Sequence, residues 1–345
     1  MLHANNSTLV DWVNAPLAAY YSSAGTVFLL LYLLCMYALR QPPLRDKLSY
    51  RIMTFIGYCD LVMLFMNSYV TAYCSFTGAR YLDNWWWPMK ISGALNAAIW
   101  VVYCMLCVVL GLSRLEHSGT GGSVIQKNTI ISFKLTTWLA VSAFMASLYF
   151  LTFLTPLVSL VFDSRLGFWI LAPNSNLPLG ILLHLVPNSL FSLAMIAVYV
   201  KVAYNTHNIA AGVAVSAAER SIQLQCLLVC SLAVSLSLSY LLVPMITQSP
   251  AVLRLVQCYA QFVQGSNAII YLTLNSQIRA IVKSQFSFKK PNAVEHLNDV
   301  NESTDEQGSA RNPARISMKV MGVKPPTTNL RWHSAHRERR AEQKH

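Results

Sequence analysis

The chain has 345 residues, of which 54% are hydrophobic and only 12% are charged. About a quarter of the residues of a soluble globular domain are charged, so the composition argues against that class. The net charge is +12, and half of it lies in residues 275–345, where 13 Lys and Arg oppose 7 Asp and Glu. This basic balance favours loops that face the inner leaflet of a membrane over contact with nucleic acid.

Seven long apolar runs follow one another along the chain, and short polar loops separate them. A hydrocarbon core of roughly 30 Å needs about 20 helical residues to cross it, and every backbone amide inside it must bond internally. The sequence therefore predicts an all-α membrane protein that folds as a seven-transmembrane helix bundle. The runs cover about 18–39, 50–73, 88–113, 131–154, 177–203, 221–246 and 252–274.

The residues outside the runs complete a four-part organisation. Residues 1–17 are predicted to form an extracellular segment, and residues 18–274 form the bundle. Residues 275–290 are predicted to form a short amphipathic helix in the membrane interface, because their apolar side chains share one side. Residues 291–345 are polar and charged and are predicted to be a disordered basic cytoplasmic tail. The apolar residues of the short helix are Ile278, Ile281, Val282 and Phe286.

Basic residues are concentrated in the loops after runs one, three and five, which predicts that these loops are cytoplasmic. The N-terminus is then outside, the C-terminus is inside, and the protein crosses the plasma membrane several times. Asn5 and Asn6 each begin an Asn-x-Ser/Thr triplet and are predicted glycosylation sites. Trp85, Trp86 and Trp87 are predicted to anchor run three at the interface, with a ligand cage as the alternative. The basic residues are Arg40, Arg45, Lys47, Arg51, Arg114, Lys127, Lys134, Lys201 and Arg220.

The eight cysteines lie mostly inside the apolar runs, where small apolar packing is the simplest interpretation. Cys74 and Cys258 lie near the outer ends of their runs, so the sequence leaves open one disulfide between them. No zinc-type His cluster, nucleophile elbow or phosphate loop occurs in the sequence, and neither an enzyme nor a cofactor is predicted. Residues 252–274 contain no lysine, which excludes a retinal Schiff base in run seven.

Polar residues inside membrane spans are costly and are therefore functional candidates. Asp60 in run two is the most prominent of them, and Asn67 lies seven residues later on the same helical face. Run seven carries a polar stripe at helical spacing that is predicted to face the interior of the bundle. The stripe either lines a water-filled cavity or bonds neighbouring helices. It consists of Gln257, Gln261, Gln264, Asn267 and Tyr271.

Polar and aromatic residues in runs three, five, six and seven are predicted to line an outward-facing pocket. For each of them, ordinary helix packing is the alternative interpretation. No acidic residue lies in the outer half of run three or run five, so we expect a small neutral or weakly polar ligand and not an ammonium compound. The candidate ligand-binding residues are Asn96, Trp100, Tyr103, His184, Asn188, Tyr240, Gln261 and Gln264.

Several short motifs occur in a fixed order along the chain. They are Tyr50-Arg51-Ile52-Met53 with Gly57 and Asp60, Leu112-Ser113-Arg114-Leu115-Glu116, Glu219-Arg220-Ser221-Ile222-Gln223-Leu224-Gln225, Asn267-Ala268-Ile269-Ile270-Tyr271 and Leu274-Asn275-Ser276-Gln277-Ile278-Arg279. In the order and spacing of these motifs, over about residues 40–285, the chain resembles the nematode serpentine chemoreceptors, most closely the serpentine receptor class T group.

The resemblance implies a receptor of the rhodopsin-like superfamily that signals to a heterotrimeric G protein. Arg114 matches the arginine at the inner end of the third helix in that superfamily. Asn267 and Tyr271 match its switch in the seventh helix, and Asp60 matches the aspartate of its sodium site. A chemosensory role further implies residence in a sensory cilium.

The chain departs from the superfamily pattern in three places. Ser113 stands where an aspartate usually precedes the arginine, and Ala268 stands where the switch motif has proline. Residues 155–176, the second outer loop, contain no cysteine, so the usual tether to the third helix cannot form. These departures favour a divergent chemosensory receptor over a hormone or amine receptor.

A membrane transporter or channel for a small solute is the alternative function. Transporters often contain repeated sets of spans with broken helices at matching positions. No three-plus-three similarity occurs among the seven runs. The sequence therefore favours a chemosensory receptor that binds a small molecule and signals to a G protein across the lipid bilayer.

Overall fold

The computed structural model describes most of the bundle but not the termini. The glycosylation candidates Asn5 and Asn6, together with Trp85, Lys127, Lys134 and the predicted tail 291–345, lie outside the described residues. The described ranges are 13–79, 81, 86–119, 135–172, 175–210 and 217–286. The helices are α1 (Ala15–Leu39), α2 (Pro42–Arg45), α3 (Leu48–Phe65), α4 (Thr71–Thr77), α5 (Trp86–Gly119), α6 (Leu135–Leu154), α7 (Leu177–Ala210), α8 (Ala217–Ile246), α9 (Pro250–Leu274) and α10 (Ser276–Phe286).

Two short strands, β1 (Leu160–Asp163) and β2 (Phe168–Leu171), form an antiparallel hairpin between α6 and α7. We call the end of the bundle that carries this pair the hairpin end. The opposite end, where α2 and α10 lie, is the tail end. Both names are used below for positions along the helices.

Within the described part of the chain, six helices are long and apolar enough to cross a membrane. The helix α9 is not among them, although its 25 residues extend about 37 Å at 1.5 Å per residue. Its polar stripe lowers its hydropathy, and that stripe is buried against the other helices: Gln257, Gln261 and Asn267 are fully buried. Polarity that faces inward therefore hides the seventh span from a hydropathy criterion.

The second span is one continuous helix with a π turn in the middle. Met66–Val70 joins α3 to α4, and the Thr71 backbone N–H donates to the Met66 carbonyl, one residue further back than in an α-helix. Such turns insert one extra residue and are frequent at functional sites. Here the turn directs the side chains of Asn67 and Ser68 into the bundle, where both are buried.

Helix α1 lies close to this turn because Gly25 has no side chain. A Cβ at Gly25 would lie 2.3 Å from the Ser68 Cβ, so no larger residue fits between the two helices. This contact fixes α1 against the π turn.

The hairpin is a feature that the all-α prediction missed. Its turn is stabilised locally, since the Asp163 carboxylate accepts from the backbone N–H groups of Arg165 at 2.9 Å and Leu166 at 3.2 Å. Gly167 has a φ of +64°, a left-handed conformation that glycine adopts without strain. Local turn chemistry therefore closes the two short strands into a hairpin.

Contacts with four helices hold the hairpin in place. The Ser164 hydroxyl approaches the carbonyls of Cys74 and Ala79 at 3.0 Å each, at the hairpin end of the second span. Arg254 of α9 donates to the Arg165 carbonyl at 2.6 Å. Tyr21 of α1 donates to the Gly167 carbonyl at 3.4 Å.

Helix α5 meets the hairpin at Gly93, where a Cβ would lie only 1.9 Å from the Leu160 carbonyl oxygen. The two backbones are therefore in direct contact at this point. The hairpin is held by hydrogen bonds and close packing in place of a disulfide.

All eight cysteines, Cys74 and Cys258 included, have free thiols, so the disulfide that the sequence left open is not formed. Seven of the eight are buried, and four of them pack between α5 and α8 in the main apolar core. This agrees with the interpretation of the cysteines as small apolar packing residues. The four are Cys104, Cys107, Cys226 and Cys230.

The short helix α10 follows α9 after a single residue, Asn275. Ile278 is fully buried against the bundle, whereas Phe286 at the other end of the helix is 66% exposed. The Asn275 side chain accepts from the Ile278 backbone N–H at 3.1 Å and so caps the helix. The helix therefore starts on the bundle and carries an exposed apolar residue away from it.

Candidate ligand cavity and switch residues

A cavity of about 500 Å³ lies at the hairpin end, within the size range of small-molecule sites. Helices α5, α6, α7, α8 and α9 form its walls, and Met63 and Asn67 of the second span form its floor. The hairpin contributes several apolar side chains, among them Phe168, whose ring stacks on Tyr240 at 4.8 Å. Among the described lining residues there is no Asp, Glu, Lys or Arg.

Asn188 is the centre of a polar group on one wall of the cavity. Its side-chain oxygen accepts from the Trp100 indole N–H at 2.7 Å and from the Ser237 hydroxyl at 3.0 Å. Its amide nitrogen donates to the His184 carbonyl at 2.6 Å. One neutral amide thus joins α5, α7 and α8 and pairs donors that would be costly to bury alone.

A second polar group runs across the floor. The Tyr240 hydroxyl donates to Gln257 at 2.6 Å, and the Gln257 amide donates to Asn67 at 2.8 Å. The Asn67 amide then donates to Gln264 at 3.2 Å. This chain of neutral groups joins α8, α9 and the π turn of the second span.

The structure brings six of the eight candidate ligand-binding residues into the cavity wall and leaves two outside it. Tyr103 is only 1% exposed and lies below the floor, where its ring stacks under Trp100 at 5.5 Å. Gln261 faces α1 and the π turn, because its amide donates to the Tyr21 carbonyl at 2.6 Å and to Ser68 at 2.7 Å. The six are Asn96, Trp100, His184, Asn188, Tyr240 and Gln264.

The sequence-based candidates for the pocket leave out most of its lining residues, among them Asn67, Ser237 and Phe168. The sequence marks Asn67 only as a polar residue near Asp60, and the π turn that aims it at Gln264 has no sequence signal. Ser237 lies on the cavity face of α8, three residues before Tyr240, and that spacing could have identified it. Phe168 belongs to the hairpin, which the sequence did not reveal.

Asp60 lies in the middle of the bundle and is fully buried. One of its carboxylate oxygens accepts from the Tyr32 hydroxyl and from the Asn267 amide, the latter at 2.8 Å. The same amide also donates to the Tyr103 hydroxyl at 3.2 Å. Tyr271 packs edge-on against Tyr32 at 6.4 Å. Three of the four predicted switch residues, Asp60, Asn267 and Tyr271, therefore lie together.

Arg114, the fourth predicted switch residue, lies near the tail end and is 7% exposed. Its guanidinium contacts the Cys226 thiol of α8 and lies near Tyr50 of α3. Among the described residues no carboxylate pairs with it, and its Nε and one Nη have no hydrogen-bond partner. The side chain of Glu116 lies outside the described part of the chain.

Close to Arg114, the tail end is held by direct bonds between helices. The Asn275 amide donates to the Tyr50 hydroxyl at 3.1 Å and to Gln225 of α8 at 3.2 Å. The Ser221 hydroxyl donates to the Leu274 carbonyl at the end of α9. These contacts join α3, α8 and α9, and we call them the tail-end clasp.

Comparison with protein-family models decides the class of protein. The model described as "Serpentine type 7TM GPCR chemoreceptor Srt" matches residues 5–295. The chain belongs to this family. The resemblance that the sequence motifs carried is thereby confirmed, and the match extends beyond residues 40–285 at both ends.

Solved structures agree on the fold. The crystal structure of squid rhodopsin is similar to this chain with a TM-score of 0.61 and 11% sequence identity, over 91% of this chain and 97% of that one. At such low identity the likeness concerns the fold alone. A search of curated proteins finds no match. The predicted seven-helix membrane bundle with a short terminal helix is confirmed, and the chain is a membrane receptor of the G-protein-coupled class.

Proposed function

We propose that this receptor binds a small neutral or weakly polar molecule in the cavity at the hairpin end. The observation that carries the proposal is the composition of the cavity wall, which is apolar and aromatic with a few neutral polar groups. The described lining residues include no carboxylate and no Lys or Arg, so they give no counter-ion to a charged ligand, whose desolvation would be costly. Asn96 and His184 offer polar atoms for orientation.

The hairpin end faces outward and the tail end faces the cytoplasm in this proposal. The support is the excess of Lys and Arg in the loops at the tail end, which follows the positive-inside rule. The N-terminus with Asn5 and Asn6 is then extracellular, and the basic C-terminal tail is cytoplasmic. Attachment of a glycan to Asn5 or Asn6, read as a mass shift after glycosidase treatment, tests this orientation.

A heterotrimeric G protein binds at the tail end in this proposal. Ligand binding shifts a pre-existing equilibrium toward a conformation in which the tail-end clasp opens and α8 moves away from Arg114. The polar floor of the cavity lies above Asp60 and Asn267, and Gln264 and Asn267 lie one helical turn apart on α9. Rotation of α9 would therefore change both sites together.

The resemblance matches Asp60 to a sodium-site aspartate and leaves open whether sodium binds there. Asp60 Oδ1 and Asn267 Oδ1 are buried and have no hydrogen-bond partner among the described residues. Oxygen atoms of this kind are the ligands that hard cations prefer. Sodium chloride that raises the thermal midpoint of the receptor, but not that of the Asp60→Asn variant, would support sodium binding at equal ionic strength.

Replacement of Arg114 tests the proposed coupling. Arg114→Ala should abolish ligand-dependent recruitment of the G protein, measured by energy transfer in cells, while surface expression persists. Arg40→Ala is the matched control, because Arg40 lies at the same end but is exposed and bonds Tyr58. Full ligand-dependent signalling from Arg114→Ala would contradict the assignment.

Localisation tests the chemosensory role. A fluorescent protein fused to the C-terminus should concentrate in ciliated sensory endings of the native animal. Steady residence in intestinal or internal membranes would contradict that role and would favour an internal signal as the ligand.

A further inference from the structure

The cavity reaches the surface of the molecule on the flank of the bundle, between the hairpin-end segments of α7 and α8. Ile181 of α7 and Met245 of α8 both line the cavity, yet they are 51% and 74% exposed. Leu177, at the start of α7, also lines the cavity and is 50% exposed. These three side chains face both the cavity and the outside, and we call the place that they border the side opening.

Within α7 and α8 the rim of the side opening is apolar: Leu177, Ile181 and Met245 lie in the parts of these helices that are long and apolar enough to cross a membrane. The exposed polar lining residue Gln248 follows the end of α8. Neighbouring side chains that point away from the cavity are apolar and exposed too. An opening onto water would expose polar groups, whereas an opening onto lipid exposes apolar ones. These neighbours are Leu182, Leu242 and Ile246.

The path along the bundle axis is covered, in contrast, by the hairpin. Leu160, Phe168 and Ile170 of its two strands line the cavity from above. The hydrogen bonds from Ser164 and Arg254 hold the hairpin to the second span and to α9. Removing the hairpin requires several such bonds to break together, whereas entry through the flank requires none of them to break.

Two prolines border the side opening and weaken the helices there. Pro187 in α7 and Pro244 in α8 each lack the N–H of a regular helical bond. The carbonyl that Pro187 leaves without its helical donor, that of Leu183, accepts from the Tyr149 hydroxyl at 2.9 Å. Proline inside a helix permits bending, so the two helices can part locally at their hairpin ends.

We infer that the ligand enters the cavity from the lipid bilayer, through the side opening between α7 and α8. The inference rests on the proposed function of the cavity as the ligand site, and it narrows the ligand class to neutral molecules that partition into membranes. Charged or strongly hydrated molecules of the same size are excluded from this route, because crossing hydrocarbon removes their hydration.

Chemical labelling of a cysteine placed in the cavity tests the route without any ligand. Ala97→Cys is made in the full chain with Cys258→Ser, since Ala97 lines the cavity and Cys258 is the one native thiol that is not buried. The receptor in lipid vesicles reacts with methyl methanethiolsulfonate, which is neutral, or with its trimethylammonioethyl analogue, which is charged and stays in water. Each rate is divided by the rate of the reagent with free 2-mercaptoethanol.

The neutral reagent should react about 100-fold faster than the charged one, since a cation is strongly disfavoured in hydrocarbon. Ile181→Trp should slow the neutral reagent about tenfold, because a larger side chain in the opening raises the barrier to entry. Leu182→Trp is the matched control; that residue is 55% exposed but does not line the cavity, and its replacement should leave the rate unchanged.

Three results would overturn the inference. The first is equal normalised rates for the two reagents, which would indicate an aqueous entrance. The second is equal slowing by Ile181→Trp and Leu182→Trp in variants with the same thermal midpoint. The third is a cysteine that neither reagent modifies. None of these results depends on signalling, so the proposed receptor function would still be judged separately by Arg114→Ala.

Discussion

The hairpin end and the tail end of the bundle use neutral polar side chains for opposite purposes. At the hairpin end, Asn188 and Asn67 each bond to polar neighbours on other helices and line a cavity of about 500 Å³. At the tail end, Tyr50, Gln225 and Asn275 bond directly and draw α3, α8 and α9 together. The same kinds of group keep a space open at one end and close the helices at the other.

This contrast indicates where different perturbations should act. A change at the hairpin end should alter what the cavity binds and how firmly the hairpin is held. A change at the tail end should alter the resting conformation and hence signalling without ligand. Asp60 lies between the two ends, so its replacement should affect both.

The largest effect is expected from Asp60→Ala. The substitution leaves the Tyr32 hydroxyl and the Asn267 amide buried without their acceptor, so the free energy of unfolding should fall by about 4 kcal/mol. Asp60→Asn keeps one carbonyl oxygen for both donors and should cost less than about 1 kcal/mol. Thermal denaturation of the two purified variants measures the loss of stability in each. Equal losses would contradict the explanation that the stability depends on the acceptor oxygen of residue 60.

A second prediction concerns the hairpin end alone. Gly93→Ala should destabilise the receptor by about 3 kcal/mol, because its Cβ would overlap the Leu160 carbonyl oxygen at 1.9 Å and displace the hairpin. Gly180→Ala is the control. Its Cβ would meet only the end of the Leu171 side chain at 2.8 Å, and that side chain can rotate. Similar thermal midpoints for the two variants would contradict the close backbone contact.

A third prediction concerns the tail end. Asn275→Ala removes the bonds to Tyr50 and Gln225 and the cap of α10, so it should cost about 2 kcal/mol. Opening the tail-end clasp should also raise signalling in the absence of ligand, while binding at the hairpin end persists. Basal G-protein recruitment measures this effect. Unchanged basal G-protein recruitment at equal surface expression would show that opening the tail-end clasp does not activate the receptor.

The smallest effect is expected from Gly167→Ala in the hairpin turn. Alanine at a φ of +64° should cost about 1 kcal/mol, and its Cβ would approach the Arg254 side chain at 2.8 Å. Basal signalling should stay at the level of the unmodified receptor, because the clasp is at the other end. A rise in basal signalling would show that a change at the hairpin end also affects the tail-end clasp.

The sequence predicted the spans and much of the cavity because both depend on helical periodicity. Asn96 and Trp100 are four residues apart, as are His184 and Asn188, so the spacing alone assigns each pair to one helical face. Depth along the bundle has no such signal. Tyr103 shares the face of Trp100 but lies one turn lower, below the floor, and only the packing of α9 against α5 determines where the floor is.

The hairpin and the π turn could not be predicted for a different reason. The strands β1 and β2 have four residues each, and contacts distant in sequence, such as Ser164 with Cys74, hold them. The π turn differs from the rest of this apolar helix only in its backbone hydrogen bonding. Neither feature changes the local pattern of polar and apolar residues from which the spans are predicted, and the turn residues Asp163 and Gly167 do not by themselves indicate a pair of strands.

The π turn at Met66–Val70 also bears on how related sequences should be aligned. A π turn contains one residue more than the α-helical turn it replaces, and one residue corresponds to a rotation of about 100° around the helix axis. A relative that lacks the extra residue would present a different side chain to Gln257 and Gln264, even if every other position of the span were identical. An alignment of this span therefore requires a gap of one residue between Asp60 and Thr71 for such relatives. Insertion or deletion of that one residue would change the floor of the cavity in a single evolutionary step.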